Sequence, residues 1–218
     1  MTRILVPSRG LESWQALLAD PQNHWREGYS AMAVARSWEA ARGLPPEIAA
    51  LFGPEAELLL AIPEHTVRLP GSGRASQCDV FALLRNGNEN VAMAIEAKVN
   101  EPFGPTVGEW LAEGGANRDE RLSGLCRLLG AKAMPDQSLR YQLFHRTAAA
   151  VIEARRFAAP HACMVVQSFS ANNAWLEDFQ AFARFLGLAL EPAEAGTVVL
   201  PDGMKLSLAW VRGTPAYP

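Results

Sequence analysis

The spacing of hydrophobic and polar positions changes along the chain, and the change separates a helical beginning from a part rich in strands. Apolar residues at helical spacing near the start predict short helices over 13–20, 29–43 and 45–53. Continuous or alternating apolar runs then predict strands over 57–69, 79–85, 91–99 and 161–170. Between and after these strands, helical spacing returns over 121–130, 138–157 and 174–187, and a terminal hairpin is predicted over 197–211.

The sequence NGNEN joins two of the predicted strands. Asn86-Gly87 is a strong short-range signal for a β-hairpin. If the two loop residues are Gly87 and Asn88, the numbers of paired residues sum to about 175, so Asp79 lies opposite Glu96. Other loop choices within NGNEN shift this pairing by about two residues. Together with the strand before it, the hairpin forms a predicted three-stranded meander.

The strand VAMAIEAKV has two different faces because side chains alternate along a strand. Glu96 and Lys98 share one face with Ala92 and Ala94. The other face carries the larger apolar side chains, and we expect it to pack on helices. The small alanines are expected to leave open space beside the charged pair. This is more typical of the floor of a site than of a core.

The order of elements is helices, three strands, helix, strand, helix and hairpin, which predicts an α/β (α+β) fold with a mixed sheet flanked by helices. With 218 residues, 49% of them hydrophobic, the chain is long enough for one domain, 1–218. It contains no apolar run of signal-peptide or membrane-span length, so we expect a soluble, cytoplasmic protein with no membrane partner. Three scattered cysteines favour buried free thiols: Cys78, Cys126 and Cys163.

Charge and motifs exclude several classes of function. A net charge of −3 argues against a strongly basic protein that binds nucleic acid tightly and without specificity, although a local basic surface stays open. The chain lacks a nucleophile elbow, a phosphate-loop consensus, an HExxH zinc motif and a dinucleotide-binding fingerprint.

The predicted hairpin brings two carboxylates and an ammonium group to one end of a sheet. Like charges so close together are unfavourable unless a proton or a cation neutralises them. Lys98 offsets one charge, and Mg²⁺ (or Mn²⁺) is the natural occupant for the rest, since it binds carboxylate oxygens, water and phosphate. Lys98 would then orient or deprotonate a water, or stabilise negative charge. The alternative is a solvated ion pair at a strand end, with Asp79 an ordinary strand-start residue.

Asp79, followed on the next strand by Glu96-Ala97-Lys98, resembles the PD-(D/E)XK nuclease superfamily over residues 30–170. The resemblance implies a restriction-endonuclease-like core, with the helix and hairpin of 174–211 added after it. It implies that Asp79 and Glu96 bind the metal and that Lys98 serves the attacking water. Many members add an acid from the first core helix, for which Glu39 is the candidate and Glu57 the second choice.

The function implied by the resemblance is metal-dependent hydrolysis of DNA or RNA, with nucleic acid as partner. The alternative is an inactive member of the fold that binds nucleic acid or protein. The chain departs from the family pattern in having Cys78 before the aspartate, and Arg146 where some members carry tyrosine four residues after a glutamine. Gln142 and Arg146 are nevertheless candidates to approach a metal or phosphate, or they form an ordinary helix face.

Two further features of the sequence each have two interpretations. The segment Gly71-Ser72-Gly73-Arg74 either brings backbone amides and Arg74 to a phosphate or forms a flexible turn between strands. The oligomeric state is open, and a homodimer is one alternative, in which Trp210 of the terminal hairpin would serve the interface.

Overall fold

A six-stranded mixed β-sheet is the framework of the protein in the computed structural model, which describes residues 9–18, 20–115 and 117–214. The strands are β1 (Ala56–Val67), β2 (Ser76–Asn86), β3 (Glu89–Lys98), β4 (His161–Ser168), β5 (Ala195–Val199) and β6 (Lys205–Arg212). Their order in the sheet is β1-β2-β3-β4-β6-β5. The β3/β4 and β4/β6 pairs are parallel and the other three are antiparallel. The predicted α/β class with a mixed, helix-flanked sheet is confirmed.

Helices cover both faces of this sheet. Within the described ranges they are α1 (Leu11–Gln15), α2 (Pro21–His24), α3 (Ser30–Ala41), α4 (Pro46–Ala49), α5 (Val107–Ala112), α6 (Arg118–Leu128), α7 (Tyr141–Arg156) and α8 (Leu176–Phe185). Side chains of α1, α3 and α4 join one core layer, and those of α5 to α8 join the other. None of the described helices combines the length and apolar character needed to cross a membrane.

The predicted meander and its register are confirmed. The β2/β3 ladder runs from Asn86↔Glu89 to Val80↔Ile95, so Gly87 and Asn88 are the two loop residues. The ladder ends at the Val80↔Ile95 pair, and beyond it the Asp79 carboxylate accepts a hydrogen bond from the backbone N–H of Ala97, next to Glu96. Strand β1 contains Pro63, which lacks a backbone N–H, and it tolerates the proline because it lies at the edge of the sheet.

The two faces of β3 are as predicted, but the space beside Glu96 and Lys98 is not open. Ala92 and Ala94 are buried against α7, which contacts β2, β3 and β4. Three consecutive alanines of α7, 148–150, are buried in the same core layer. Small side chains on both elements let the helix approach the sheet closely. The alanines therefore form a helix-packing surface, and the prediction of an open floor was wrong.

The C-terminal hairpin is part of the sheet rather than an appendage. Strand β6 lies between β4 and β5, and Trp210 is fully buried against Phe103 and Phe179. An interface role for Trp210 is therefore excluded by its burial. The three cysteines are buried free thiols, as predicted.

Several predicted helices are shorter in the structure than expected. The helix expected over 45–53 is a single turn, and the one expected over 13–20 begins and ends earlier. The described residues of the weakly patterned stretch 100–137 form two helices, α5 and α6, of which only the second was predicted.

Candidate active site

Glu96 is the centre of a buried polar network. Its carboxylate Oε1 accepts hydrogen bonds from Lys98 Nζ at 2.6 Å and from Gln142 Nε2 at 2.8 Å. Arg146 Nε donates to the second oxygen, Oε2. Glu96 is only 2% exposed and Lys98 only 4%. The predicted acid and base therefore form a buried ion pair, and not the solvated pair of the alternative interpretation.

The sheet and α7 build this network together. The two-residue spacing in β3 puts Glu96 and Lys98 on one face, and the four-residue spacing in α7 puts Gln142 and Arg146 one turn apart. Burial alone would raise the pKa of Glu96, but the positive charges of Arg146 and Lys98 outweigh burial and lower it to about 2. Glu96 is therefore ionised at neutral pH and compensated by two cations.

Asp79 has a different environment from Glu96. Its Oδ2 accepts a hydrogen bond from the backbone N–H of Ala97 at 2.6 Å, and no side-chain cation of the described residues forms an ion pair with it. Burial and the negative charge of Glu96 raise the pKa of Asp79 to about 7. The side chain is partly exposed. Asp79 thus carries negative charge that the protein neutralises incompletely.

Glu64 is a third carboxyl group at this site, and sequence analysis missed it. The pairs Pro63↔Val80 and His65↔Cys78 flank it, so it lies beside Asp79 in the sheet. Gln77 Nε2 donates to its Oε2 at 2.9 Å. Burial and the negative charge of Asp79 raise the pKa of Glu64 to about 9. A glutamate next to the proline of an apolar strand was the signal that could have found it.

The remaining predicted acids lie elsewhere. Glu39, on α3, belongs to the helical layer on the opposite face of the sheet, where Trp14 Nε1 donates to its Oε1 at 2.8 Å. Glu57 pairs with Arg85 near the hairpin loop, at the other end of β1. Neither residue is placed to share a metal ion with Glu96, so the structure corrects the choice of third acid.

The predicted substrate-binding residues divide into two groups. Gln142 and Arg146 are used inside the network, and Arg146 Nη1 also donates to Ser76 Oγ at 2.9 Å. Arg74 is exposed and lines a cleft of about 650 Å³ beside the network. Ser76 Oγ joins the two, because it also contacts Nδ1 of His145, a cleft residue, at 2.9 Å.

The exposed side of the network could hold a divalent metal ion only if few of the ligands of that ion came from the protein. Among the described residues, no group of three or more His, Cys, Asp or Glu side chains is arranged to hold a metal ion. Mg²⁺, however, is usually held by one or two carboxylates plus water and phosphate. Asp79 and Glu64 supply carboxyl groups that no described cation pairs with and whose pKa values are raised, and the buried Oε1 of Gln142 has no donor among the described residues. This donor set is compatible with a hydrated magnesium ion.

The fold and site together define a mixed α/β protein with a buried Glu–Lys–Arg–Gln network and a row of carboxyl groups on three adjacent strands. Residues 7–215 match the model of a family described as a domain of unknown function, DUF6946. The match covers nearly the whole chain, which therefore belongs to this family. No curated protein and no solved structure matches the chain.

The raised pKa values predict an unusual pH dependence of stability. A carboxyl group whose pKa is higher in the folded than in the unfolded state stabilises the fold fully at low pH and loses this contribution as pH rises. The stability contributed by Asp79 is lost as pH rises from about 4 to about 7. That contributed by Glu64 is lost as pH rises from about 4 to about 9. Without metal, we expect the melting temperature of Asp79→Asn to increase relative to that of the wild type as pH rises from 5 to 8.

Thermal melts in the presence of EDTA measure this difference. The exposed Glu177 on α8 provides the control, Glu177→Gln, which should follow the wild type at every pH. Parallel curves for the wild type and Asp79→Asn would show that Asp79 titrates normally and is not held in a repulsive environment.

Proposed function

We propose that the protein is a metal-dependent phosphodiesterase that hydrolyses DNA or RNA, built on a restriction-endonuclease-like core. Mg²⁺ or Mn²⁺ would be held by Asp79 with Glu64 or Glu96. The single observation that carries the proposal is the crowding of the Asp79 and Glu64 carboxyl groups, whose raised pKa values show that they hold protons which a bound cation would replace, next to a fixed Lys98. Such crowding of carboxyl groups costs folding energy, and perturbed groups of this kind concentrate at functional sites.

The topology supports the same proposal. The antiparallel meander β1-β2-β3 is followed by the helices α5, α6 and α7 and then by the parallel strand β4, and the acids lie where the meander strands meet α7. This is the order of elements that the resemblance to PD-(D/E)XK nucleases implies.

In the proposed mechanism, Asp79 and Glu64 would hold a divalent metal ion, which would supply Lewis-acid chemistry for a phosphate and a water of lowered pKa. Lys98 supplies positive charge for the negative charge that develops on the phosphate. Its position is fixed by Glu96 and by the ring of Phe103, whose centroid lies 5.1 Å from Nζ. Gln142 and Arg146 act as positioning residues, since they hold the Glu96 carboxylate that holds Lys98.

A second candidate function is binding of nucleic acid or protein without catalysis. The observation that favours it is the engagement of Glu96, whose two oxygens already receive three donors from Lys98, Gln142 and Arg146. A network closed in this way is stable without metal. The two candidates differ in whether cleavage depends on metal and on Asp79.

The test is cleavage of single- and double-stranded DNA and RNA by purified protein with Mg²⁺ or Mn²⁺. We expect cleavage by the wild type, its loss in EDTA, and its loss in Asp79→Asn, because the amide is a poor metal ligand. This variant should remain folded, since it removes a charge that destabilises the fold.

Glu177→Gln is the matched control and should cleave like the wild type. Equal activity of the wild type and Asp79→Asn would indicate a contaminating nuclease and contradict the proposal. Nucleic-acid binding without cleavage under any metal condition would favour the second candidate.

A further inference from the structure

The cleft beside the network contains a buried cation without an acidic partner. Arg121, on α6, is 6% exposed and lines the cleft. Its guanidinium donates to the Tyr141 hydroxyl at 2.9 Å, to the carbonyl oxygen of Ser72 at 2.8 Å, and to the carbonyl oxygen of Arg74. All three acceptors are neutral. Among the carboxylates that the structure describes, none forms an ion pair with Arg121.

A buried charge of this kind is costly. Charged side chains are rarely buried this far unless they are paired, because removal from water is compensated only partly by neutral acceptors. Backbone carbonyl groups stabilise Arg121, but they carry no net charge. The net positive charge is therefore available to a ligand that enters the cleft.

The other charged groups of the cleft leave a positive excess. Arg74 is exposed, and no described carboxylate forms an ion pair with it. Arg118 pairs with Glu113 at 3.1 Å and lies over the Trp110 ring, so these two charges offset one another. The remaining titratable lining groups are Tyr141 and His145, and burial keeps both in their neutral forms, by raising the pKa of Tyr141 and lowering the pKa of His145.

The first turn of α6 adds to the positive potential. Arg118 and Arg121 lie in this turn, where the partial positive charge of the helix dipole disfavours cations. The Asn117 side chain does not cap the helix; it donates to Ser72 Oγ at 3.2 Å instead. Asp119 and Glu120 in the same turn offset part of this charge, but neither lines the cleft.

The glycine segment before β2 closes the other side of the cleft. Gly73 has φ +115°, which side-chain-bearing residues rarely adopt, and a Cβ there would lie 2.8 Å from Arg121 Nη1. The turn thus approaches the guanidinium closely because residue 73 is glycine. The segment Gly71-Ser72-Gly73-Arg74 is therefore built around Arg121, and the interpretation as a merely flexible turn does not account for this contact.

From these observations we infer that the cleft is a binding site for a phosphate group, held by Arg121 and Arg74. Guanidinium groups bind phosphate through charge-assisted hydrogen bonds. A volume of about 650 Å³ admits an organic phosphate of nucleotide size, within the usual range for small-molecule sites. The phosphate belongs either to a free nucleotide or inorganic phosphate, or to the end of a nucleic-acid strand. This binding needs neither metal nor hydrolysis, so it goes beyond the proposed function and does not depend on it.

The test is calorimetric titration of the metal-free protein in EDTA, at constant ionic strength set with chloride. The probes are inorganic phosphate, a nucleoside 5′-monophosphate, and a short single-stranded oligonucleotide with and without a 5′-phosphate. We expect saturable binding of the phosphate-bearing probes at one site per chain. If the 5′-phosphorylated oligonucleotide binds more tightly than the nucleoside monophosphate and inorganic phosphate, the end of a strand is the source of the phosphate. If it binds equally or more weakly, the free compounds are the source.

Two variants test the residues. Arg121→Gln should weaken phosphate binding by about tenfold or more, the usual effect of losing a charge-assisted contact. Because Arg121 is buried and its replacement affects the fold, the exposed Arg74→Gln is the second variant and should weaken binding in the same direction.

The matched control is Arg127→Gln, which removes one exposed positive charge from the same helix, outside the cleft. It should bind phosphate like the wild type. The inference is overturned if phosphate gives no saturable heat, or if Arg127→Gln weakens binding as much as Arg74→Gln does.

Discussion

Replacing Arg146 by methionine should destabilise the folded protein by about 3–5 kcal/mol, the usual cost of removing one partner of a buried ion pair. Arg146 is 9% exposed and donates to Glu96 and Ser76. Methionine fills much of the volume but leaves Glu96 with Lys98 as its only cation. The loss of stability is measured by urea or thermal unfolding. It arises mostly because the buried Glu96 carboxylate keeps too little positive charge around it.

The same helix offers a control for Arg146→Met. Arg155 forms an ion pair with Asp202 at 2.7 Å, but both side chains are nearly half exposed. Exposed pairs of this kind contribute about 0–1 kcal/mol, so Arg155→Met should change stability little. Similar losses in the two variants would show that helix packing, and not the buried charge, explains the effect.

A double variant separates the charge from the packing further. Glu96→Gln together with Arg146→Met removes both charges, so it should be less destabilised than the sum of the two single variants. A strictly additive result would mean that Glu96 and Arg146 do not interact in the folded protein.

The local part of the site could be predicted from the sequence. The Asn86-Gly87 signal sets the hairpin loop, and the loop sets the register that brings Asp79 close to Glu96. Strand alternation then places Lys98 on the same face. These inferences succeed because turn chemistry and two-residue periodicity act over a few positions and leave few alternatives.

The long-range part could not be predicted in the same way. Alanine at positions 92 and 94 is equally compatible with an open floor and with close packing of a helix, and only the placement of α7 decides between them. Glu39 was chosen by analogy, yet α3 covers the other face of the sheet. Glu64 was overlooked because the register between β1 and β2 has no short loop to define it.

The Glu96 network explains how one site holds two kinds of acid. Lys98 on β3 and Arg146 on α7 both form ion pairs with Glu96, which lowers its pKa, while Asp79 and Glu64 keep raised pKa values beside it. Separation of pKa values among neighbouring carboxyl groups assigns them different roles. Glu96 orients Lys98, and the other two acids remain available to a cation.

Lys98→Met should reduce metal-dependent cleavage by about 10²- to 10³-fold in kcat, the typical effect of losing a group that stabilises transition-state charge. Like Arg146→Met, this variant leaves Glu96 with a single cation and should lose stability, so cleavage is measured well below its melting temperature, where Arg146 and Gln142 still donate to Glu96 in the folded protein. The loss should appear in kcat and not in KM if Lys98 acts on the transition state rather than on the bound substrate.

A second lysine–glutamate pair shows whether charge alone is responsible for the Lys98 effect. Lys205 on β6 pairs with Glu89 at 2.8 Å, with both side chains about half exposed. Lys205→Met changes the net charge of the protein as Lys98→Met does, but it should leave kcat unchanged. Wild-type kcat in folded Lys98→Met would remove Lys98 from the mechanism. Equal losses in both lysine variants would trace the effect to the overall charge of the protein, because Lys98 pairs with Glu96 whereas Lys205 pairs with Glu89.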